Sequence, residues 1–270
     1  MAERSRKPAG PMGRLSLLTA RLAVLAGLLL LWYLGGRWGF LDPFFFSTPE
    51  DVILRTWTDL GSAEIYRHLW VTTIETLLAF AIGTLGGIAL GFWLGLSPVA
   101  SLVLDPYVKA ANALPRVVLA PIFALWLGLG IWSKVALGVS LVLFIVFFNV
   151  YQGIKEVSPV VLANARMLGA TRRQLFATVY LPSALSWVFS SLHTAVGFAL
   201  VGAVVGEYLG SAAGLGYRIH QAEGVFDTAG VFSGMLILTL FVIAVDALVS
   251  KIESHFLVWR PDASGRSDAA

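Results

Sequence analysis

Residues 153–182, GIKEVSPVVLANARMLGATRRQLFATVYLP, decide how the chain is read. They separate two long apolar runs, 135–151 and 184–206, and are polar where those runs are not. The pattern predicts two short helices with a glycine between them. Ser158 is placed to N-cap the first, and Pro159 follows where no amide donor is needed. Val161, Ala165 and Leu168 recur at i, i+4 and i+7, which gives that helix an apolar face. Gly169 comes next, where a chain leaving a helix often takes positive φ. Thr171-Arg172-Arg173-Gln174 has capping-box spacing for a second start. Leu175, Phe176, Val179 and Tyr180 give this second helix an apolar side, and Pro182 is expected to stop it. Such an element between two apolar runs is either a solvated linker or a grip for a partner.

The surrounding composition says what kind of runs these are. Of 270 residues, 57% are hydrophobic and 13% charged, and the mean hydropathy is +0.80. Soluble domains carry roughly 25% charged residues. Several windows reach the ~20 apolar residues that cross a hydrocarbon core of about 30 Å. The runs are continuous rather than alternating, which disfavours a β-barrel. The expected fold is therefore all-α and polytopic, with six transmembrane helices in a lipid bilayer. There is no cysteine, so disulfides and thiolate metal sites are excluded. A net charge of +3 reflects basic loops and gives no reason to expect a nucleic-acid partner.

In chain order, residues 1–14 are basic and 15–36 form a first apolar run, read as an uncleaved span with Arg21 near its start. Thr48-Pro49-Glu50-Asp51 is a strong helix start, and Ile53, Trp57 and Leu60 share a face of the helix that follows. That helix is expected to lie on the membrane surface or on the protein. A second span covers roughly 70–96. Its Gly83, Gly87, Gly91 and Gly95 recur every fourth residue and predict a close helix–helix seam. The third segment, about 101–128, is broken by Pro106, Pro115 and Pro121 and carries Asp105, Lys109, Asn112 and Arg116. Spans at 134–152, 184–206 and 230–250 complete the six. Residues 207–229 read as a glycine-rich loop, with Glu207 at its start, and 251–270 as a polar tail.

Charged groups in apolar runs usually face a bundle interior or a watery path. Arg116 is the leading pathway candidate, with Asn112, Asn149 and His193 beside it. The alternative for Arg116 is an ion pair with Glu75 or Asp105. His193 stands alone, without a second histidine at metal-like spacing, and is expected to hydrogen-bond a neighbour.

Within the opening stretch, Ala165, Gly169, Val179, Leu181 and Pro182 fall at the spacing of E-A-A-x3-G-x9-I-x-L-P. That pattern marks the cytoplasmic loop of permease subunits of ATP-binding-cassette importers, which the chain resembles from about Leu69 to Trp259. Ala163 and Asn164 depart from it, standing where the family has Glu and Ala. LDPYVKAANALP, LAPIFALWLGLG and VGEYLGSAAGLGY resemble most the nitrate, sulfonate and taurine group. The resemblance implies the type I importer permease fold and a domain from 15 to 250 with a core from about 69. It implies a loop, 153–183, that meets cytoplasmic ATPase subunits through Ala163, Asn164, Ala165, Arg166, Leu168, Gly169, Ala170, Thr171, Arg172, Arg173, Leu181 and Pro182. It also implies a second copy of the permease, a periplasmic or lipid-anchored solute-binding protein, the bacterial plasma membrane, and a small anion as solute.

No bond chemistry and no cofactor are expected of this chain. It has no Gly-Lys dipeptide and hence no P-loop, no H-E-x-x-H and no G-x-S-x-G. Its acids and histidines read as scattered over loops rather than paired on spans. An ion-driven secondary transporter is the rival reading; it calls for inverted repeats and intramembrane carboxylates, and neither stands out. Both termini are expected in the cytoplasm. The segments placed there hold Arg4, Arg6, Lys7, Arg14, Lys155, Arg166, Arg172, Arg173, Lys251, Arg260 and Arg266, against Arg37, Arg55, Arg67 and Arg218 outside.

Overall fold

The computed structural model describes residues 14–256, so the basic residues before Arg14 and the tail beyond Phe256 lie outside the described residues. The elements are α1 (Arg14–Arg37), α2 (Pro43–Phe46), α3 (Pro49–Leu60), α4 (Ala63–Leu96) and α5 (Pro98–Ala113). A 3-10 turn (Arg116–Leu119) leads into α6 (Ala120–Leu127), α7 (Ile131–Lys155), α8 (Pro159–Met167) and α9 (Arg172–Leu175). A π turn (Phe176–Tyr180) joins α9 to α10 (Leu181–Leu209), and α11 (Leu215–Gly224) and α12 (Thr228–Phe256) complete the chain. No strand occurs among the described residues. Five stretches are long and apolar enough to cross a membrane: Ser16–Arg37, Ala63–Leu96, Ile131–Lys155, Arg172–Leu209 and Thr228–Lys251. Pro98–Ala113 with Arg116–Leu127 passes the same test only as a pair bent by 84°, and taken as one broken span it makes a sixth. Leu114 explains the break. It precedes Pro115, which pushes it out of the helical region to φ −66°, ψ 131°.

The core is α4, α7 and α10. Ala79 of α4, Val142, Val146, Val150 and Ile154 of α7, and Ala184, Val188, Ala195 and Ala199 of α10 form one buried cluster. The glycine stripe of α4 is the seam predicted for it. A Cβ on Gly83 would stand 2.7 Å from Val142 Cβ, and on Gly87 2.7 Å from the Leu143 carbonyl oxygen. On Gly91 it would stand 2.6 Å from Val150 Cβ, and on Gly95 2.7 Å from Ile154 Cδ1. Without side chains at these positions, α4 and α7 lie nearly backbone to backbone for about three turns.

Two expectations need correction. The second span begins at Ala63, not near 70, because Ile65 and His68 are buried against the far end of the bundle and carry the helix past its apolar window. The helix after Thr171 does not stop at Pro182. It widens into the π turn, where the Leu181 N–H bonds the Phe176 carbonyl five residues back. That wider turn absorbs the missing donor and the bulk of the proline ring, so the helical path runs on into α10.

Candidate functional site

The segment between α7 and α10 is built as its residues dictate. Ser158 and Pro159 start α8, although the Ser158 side chain makes no cap bond. The helix ends in a Schellman arrangement: the Ala170 N–H bonds the Ala165 carbonyl and the Gly169 N–H bonds the Arg166 carbonyl, both at 3.0 Å. Gly169 sits at φ +83°. The capping box is complete, with the Thr171 N–H donating to Gln174 Oε1 at 2.8 Å and the Thr171 hydroxyl oxygen accepting from the Gln174 N–H.

The base of this loop is tied to the bundle. The Ser183 hydroxyl donates to the Gly153 carbonyl at 2.7 Å, Leu175 is buried, and Phe176 packs on Phe92 of α4. Its tip is bare. Met167 is 85% exposed and Leu168 88%, and Val160 and Val161 are exposed as well. The predicted apolar face of α8 therefore exists, with Ala165 half-buried, Val161 half-exposed and Leu168 almost wholly bare. Arg166, Arg172 and Arg173, close by in sequence, are exposed.

The four pathway candidates fall in different places. Arg116 donates to Asn112 Oδ1 at 2.7 Å, and its guanidinium lies 4.2 Å from the centre of the Phe144 ring of α7. Neither Glu75 nor Asp105 pairs with it, and Asp105 instead holds Lys109 at 2.6 Å. The bend at Leu114–Pro115 turns Arg116 away from the α5 carboxylate. Asn149, on α7, donates to the Ile145 carbonyl at 2.8 Å. His193 lies in a cleft of about 450 Å³ between α10 and α12, lined mainly by valines, and its Nε2 is 2.9 Å from Asp246 Oδ1.

A polar cluster that the sequence reading missed lies inside the bundle, at the end away from the α8 loop. Glu75 (α4), Lys134 (α7) and Glu207 (α10) are all at most 1% exposed. Glu207 therefore does not open a loop as expected; α10 continues through it to Leu209, and much of the stretch beyond is helix α11. Acids are thus paired on spans after all, with the Glu75 side chain facing Glu207 and Lys134 within electrostatic reach of both. Glu207 Oε1 accepts from the Thr72 hydroxyl at 2.6 Å, and Oε2 from the Gly216 N–H at 2.8 Å. The Leu215 N–H donates to Thr72 Oγ1 at 3.0 Å and the Gly214 N–H to His68 Nδ1 at 2.9 Å. Lys134 Nζ donates to the Leu129 and Gly130 carbonyls. The cluster fastens the start of α11 to α4 and α10. Glu75, a glutamate inside the apolar run 70–96, was the available signal. No group of three metal-ligating side chains occurs among the described residues.

Comparison with known proteins places this architecture. The formylaminopyrimidine transport permease protein ThiX of Halalkalibacterium halodurans is 34% identical over 233 residues, covering 86% of this chain and 92% of that one. A putative aliphatic sulfonates transport permease protein, SsuC of Bacillus subtilis, is 30% identical over 240 residues, covering 89% and 87%. The fold matches a solved inward-facing structure of the MetNI methionine ABC transporter with a TM-score of 0.60 at 17% identity, over 71% of this chain and 94% of that one. Residues 83–257 match the family model described as the binding-protein-dependent transport system inner membrane component, and the chain belongs to that family of ABC transporter permeases.

Proposed function

We propose that this permease carries a small organic or inorganic anion, of the sulfonate, nitrate or taurine kind, across the plasma membrane into the cytoplasm. ATP hydrolysis on a separate subunit drives it. Two copies form the path, two ATPases grip the α8 loops from the cytoplasm, and a solute-binding protein delivers from outside. ATP-driven closure of the ATPases pulls on the loops, and the spans pass from inward-open to outward-open. The observation that carries the coupling reading is the bare tip Met167–Leu168 on a firmly held base. An apolar surface of that kind next to three arginines fits a protein groove better than water.

Arg116 supports the anion. Its partners are a neutral amide and an aromatic ring, so its charge is not cancelled by a carboxylate. A pyrimidine-type solute is the second reading, favoured by the 34% identity to a formylaminopyrimidine permease. Transport in proteoliposomes with the cognate binding protein decides between them. Uptake of an anion that drops about tenfold or more in Arg116→Ala, with assembly unchanged, supports the first reading. Uptake of neutral pyrimidines indifferent to the substitution supports the second. Orientation is tested separately: an impermeant thiol reagent reaching Arg172→Cys from outside intact cells overturns the placement of the loop.

A further inference from the structure

Helix α3 has its polarity reversed. Past its first turn, where Glu50 and Asp51 are exposed, its charged side is turned into the protein. Asp59, 13% exposed at its side chain, receives Arg218 at 3.2 Å and the Ser233 hydroxyl at 2.8 Å, and Arg55 reaches Asp227 at 3.0 Å. Val52 and Thr56 are buried on the same side. Beyond Glu50, which lies on it at the N-terminal end, the opposite side is apolar and bare: Ile53 is 64%, Leu54 65% and Trp57 76% exposed. Helical geometry puts residues 53, 54 and 57 on one face. The contacts also fix where the helix lies. Arg55 meets the residue just before α12, and Asp59 meets Ser233 one and a half turns into it, so α3 lies alongside the beginning of a membrane-spanning stretch that starts at Thr228. Nearby, Phe44 of α2 stacks against Phe226, and both are exposed, as is Phe45.

We propose that the Ile53–Leu54–Trp57 face of α3 is a lipid-contact surface, immersed in the bilayer half away from the α8 loop, with Phe44, Phe45 and Phe226 at its headgroup boundary. Water is the wrong solvent for this face and the right one for the opposite face, and the structure gives the opposite face to protein. Neutralised charges inward and aliphatic side chains outward are what hydrocarbon demands, and aromatic residues gather where hydrocarbon meets headgroups. The ion pairs let the helix sit beside α12 without an uncompensated charge at that depth.

The chain has no cysteine, so Ile53→Cys, Trp57→Cys and Glu50→Cys each carry one fluorescent label. The labelled full chain, assembled with its ATPase, is placed in phosphatidylcholine–phosphatidylglycerol vesicles. Lipids brominated on the acyl chain should quench the labels at 53 and 57 several-fold more than the label at 50. Aqueous iodide should quench in the reverse order. Iodide reaching position 57 as readily as position 50 overturns the proposal. So does protection from both quenchers, which assigns the face to a second protein copy. Iodide access that vanishes only on adding the solute-binding protein also overturns it and assigns the face to that partner.

Discussion

The carboxylate of Glu207, on the last turn of α10, takes the Thr72 hydroxyl of α4 at one oxygen and the Gly216 N–H of α11 at the other. One side chain thus joins three helices at the end of the bundle away from the α8 loop. Its replacement by alanine leaves the buried Gly216 N–H without a partner, which costs roughly 1–3 kcal/mol, while the Thr72 hydroxyl falls back on the His68 carbonyl at 3.1 Å. Glu207→Gln keeps an acceptor for that N–H and should lose less. The check is thermal unfolding of the purified permease in detergent, where the order wild type, Gln, Ala is expected. A Glu207→Ala variant that melts with wild type would remove the fastening role.

The glycine seam makes an independent prediction. Gly87→Ala drives a Cβ to 2.7 Å from the Leu143 carbonyl oxygen, a backbone atom that cannot rotate away. Helices α4 and α7 must separate, at a cost of about 1–3 kcal/mol for an overpacked core. Gly27→Ala, on α1, meets nothing within 4 Å and should leave stability unchanged. Paired melting curves in the same detergent test the contrast. Equal stability of the two variants would mean that the stripe is incidental.

The seam was legible because small residues at a fixed spacing state a geometric relation that no other part of the chain has to complete. Likewise, Ser158–Pro159, Gly169 and Thr171–Gln174 act on their own backbone, so their caps and turn could be read locally. The polar cluster was not legible in this way. Glu75, Lys134 and Glu207 are 59 and 73 residues apart along the chain, and only packing of α4, α7 and α10 brings them together. Glu207 was assigned to a loop because glycines follow it, yet its burial under α11 keeps the helix intact. Pro182 misled for a related reason: a proline ends a helix only where the preceding turn cannot widen, and here it widens into a π turn. The alternative ion pair of Arg116 with Glu75 or Asp105 could not be judged from the sequence, because the direction of a bend of 84° is not written in the residues that cause it.

The α8 loop supports the last prediction. Gly169 has φ +83°, and a Cβ built on it meets nothing within 4 Å in its own chain. The protein itself therefore leaves room for a side chain, and only two things oppose one: the left-handed backbone, which costs an ordinary residue about 1–2 kcal/mol, and a partner surface seated on the turn. Gly169→Val should leave insertion and dimer formation intact, because the loop base is held by Ser183, Leu175 and Phe176 rather than by the tip. It should lower co-purification of the ATPase, or ATP hydrolysis stimulated by the loaded binding protein, by tenfold or more. Gly169→Asn separates the two causes, since asparagine tolerates the left-handed region while adding bulk. Coupling restored by Asn assigns the defect to backbone strain; coupling lost with both assigns it to close approach by the ATPase. Arg172→Glu with Arg173→Glu should weaken the complex more at low salt than at high salt, because exposed charges beyond about 10 Å are screened at 0.1 M. If Gly169→Val leaves association and stimulated hydrolysis at wild-type level, the loop is a linker, and the bare Met167–Leu168 tip belongs to some other contact.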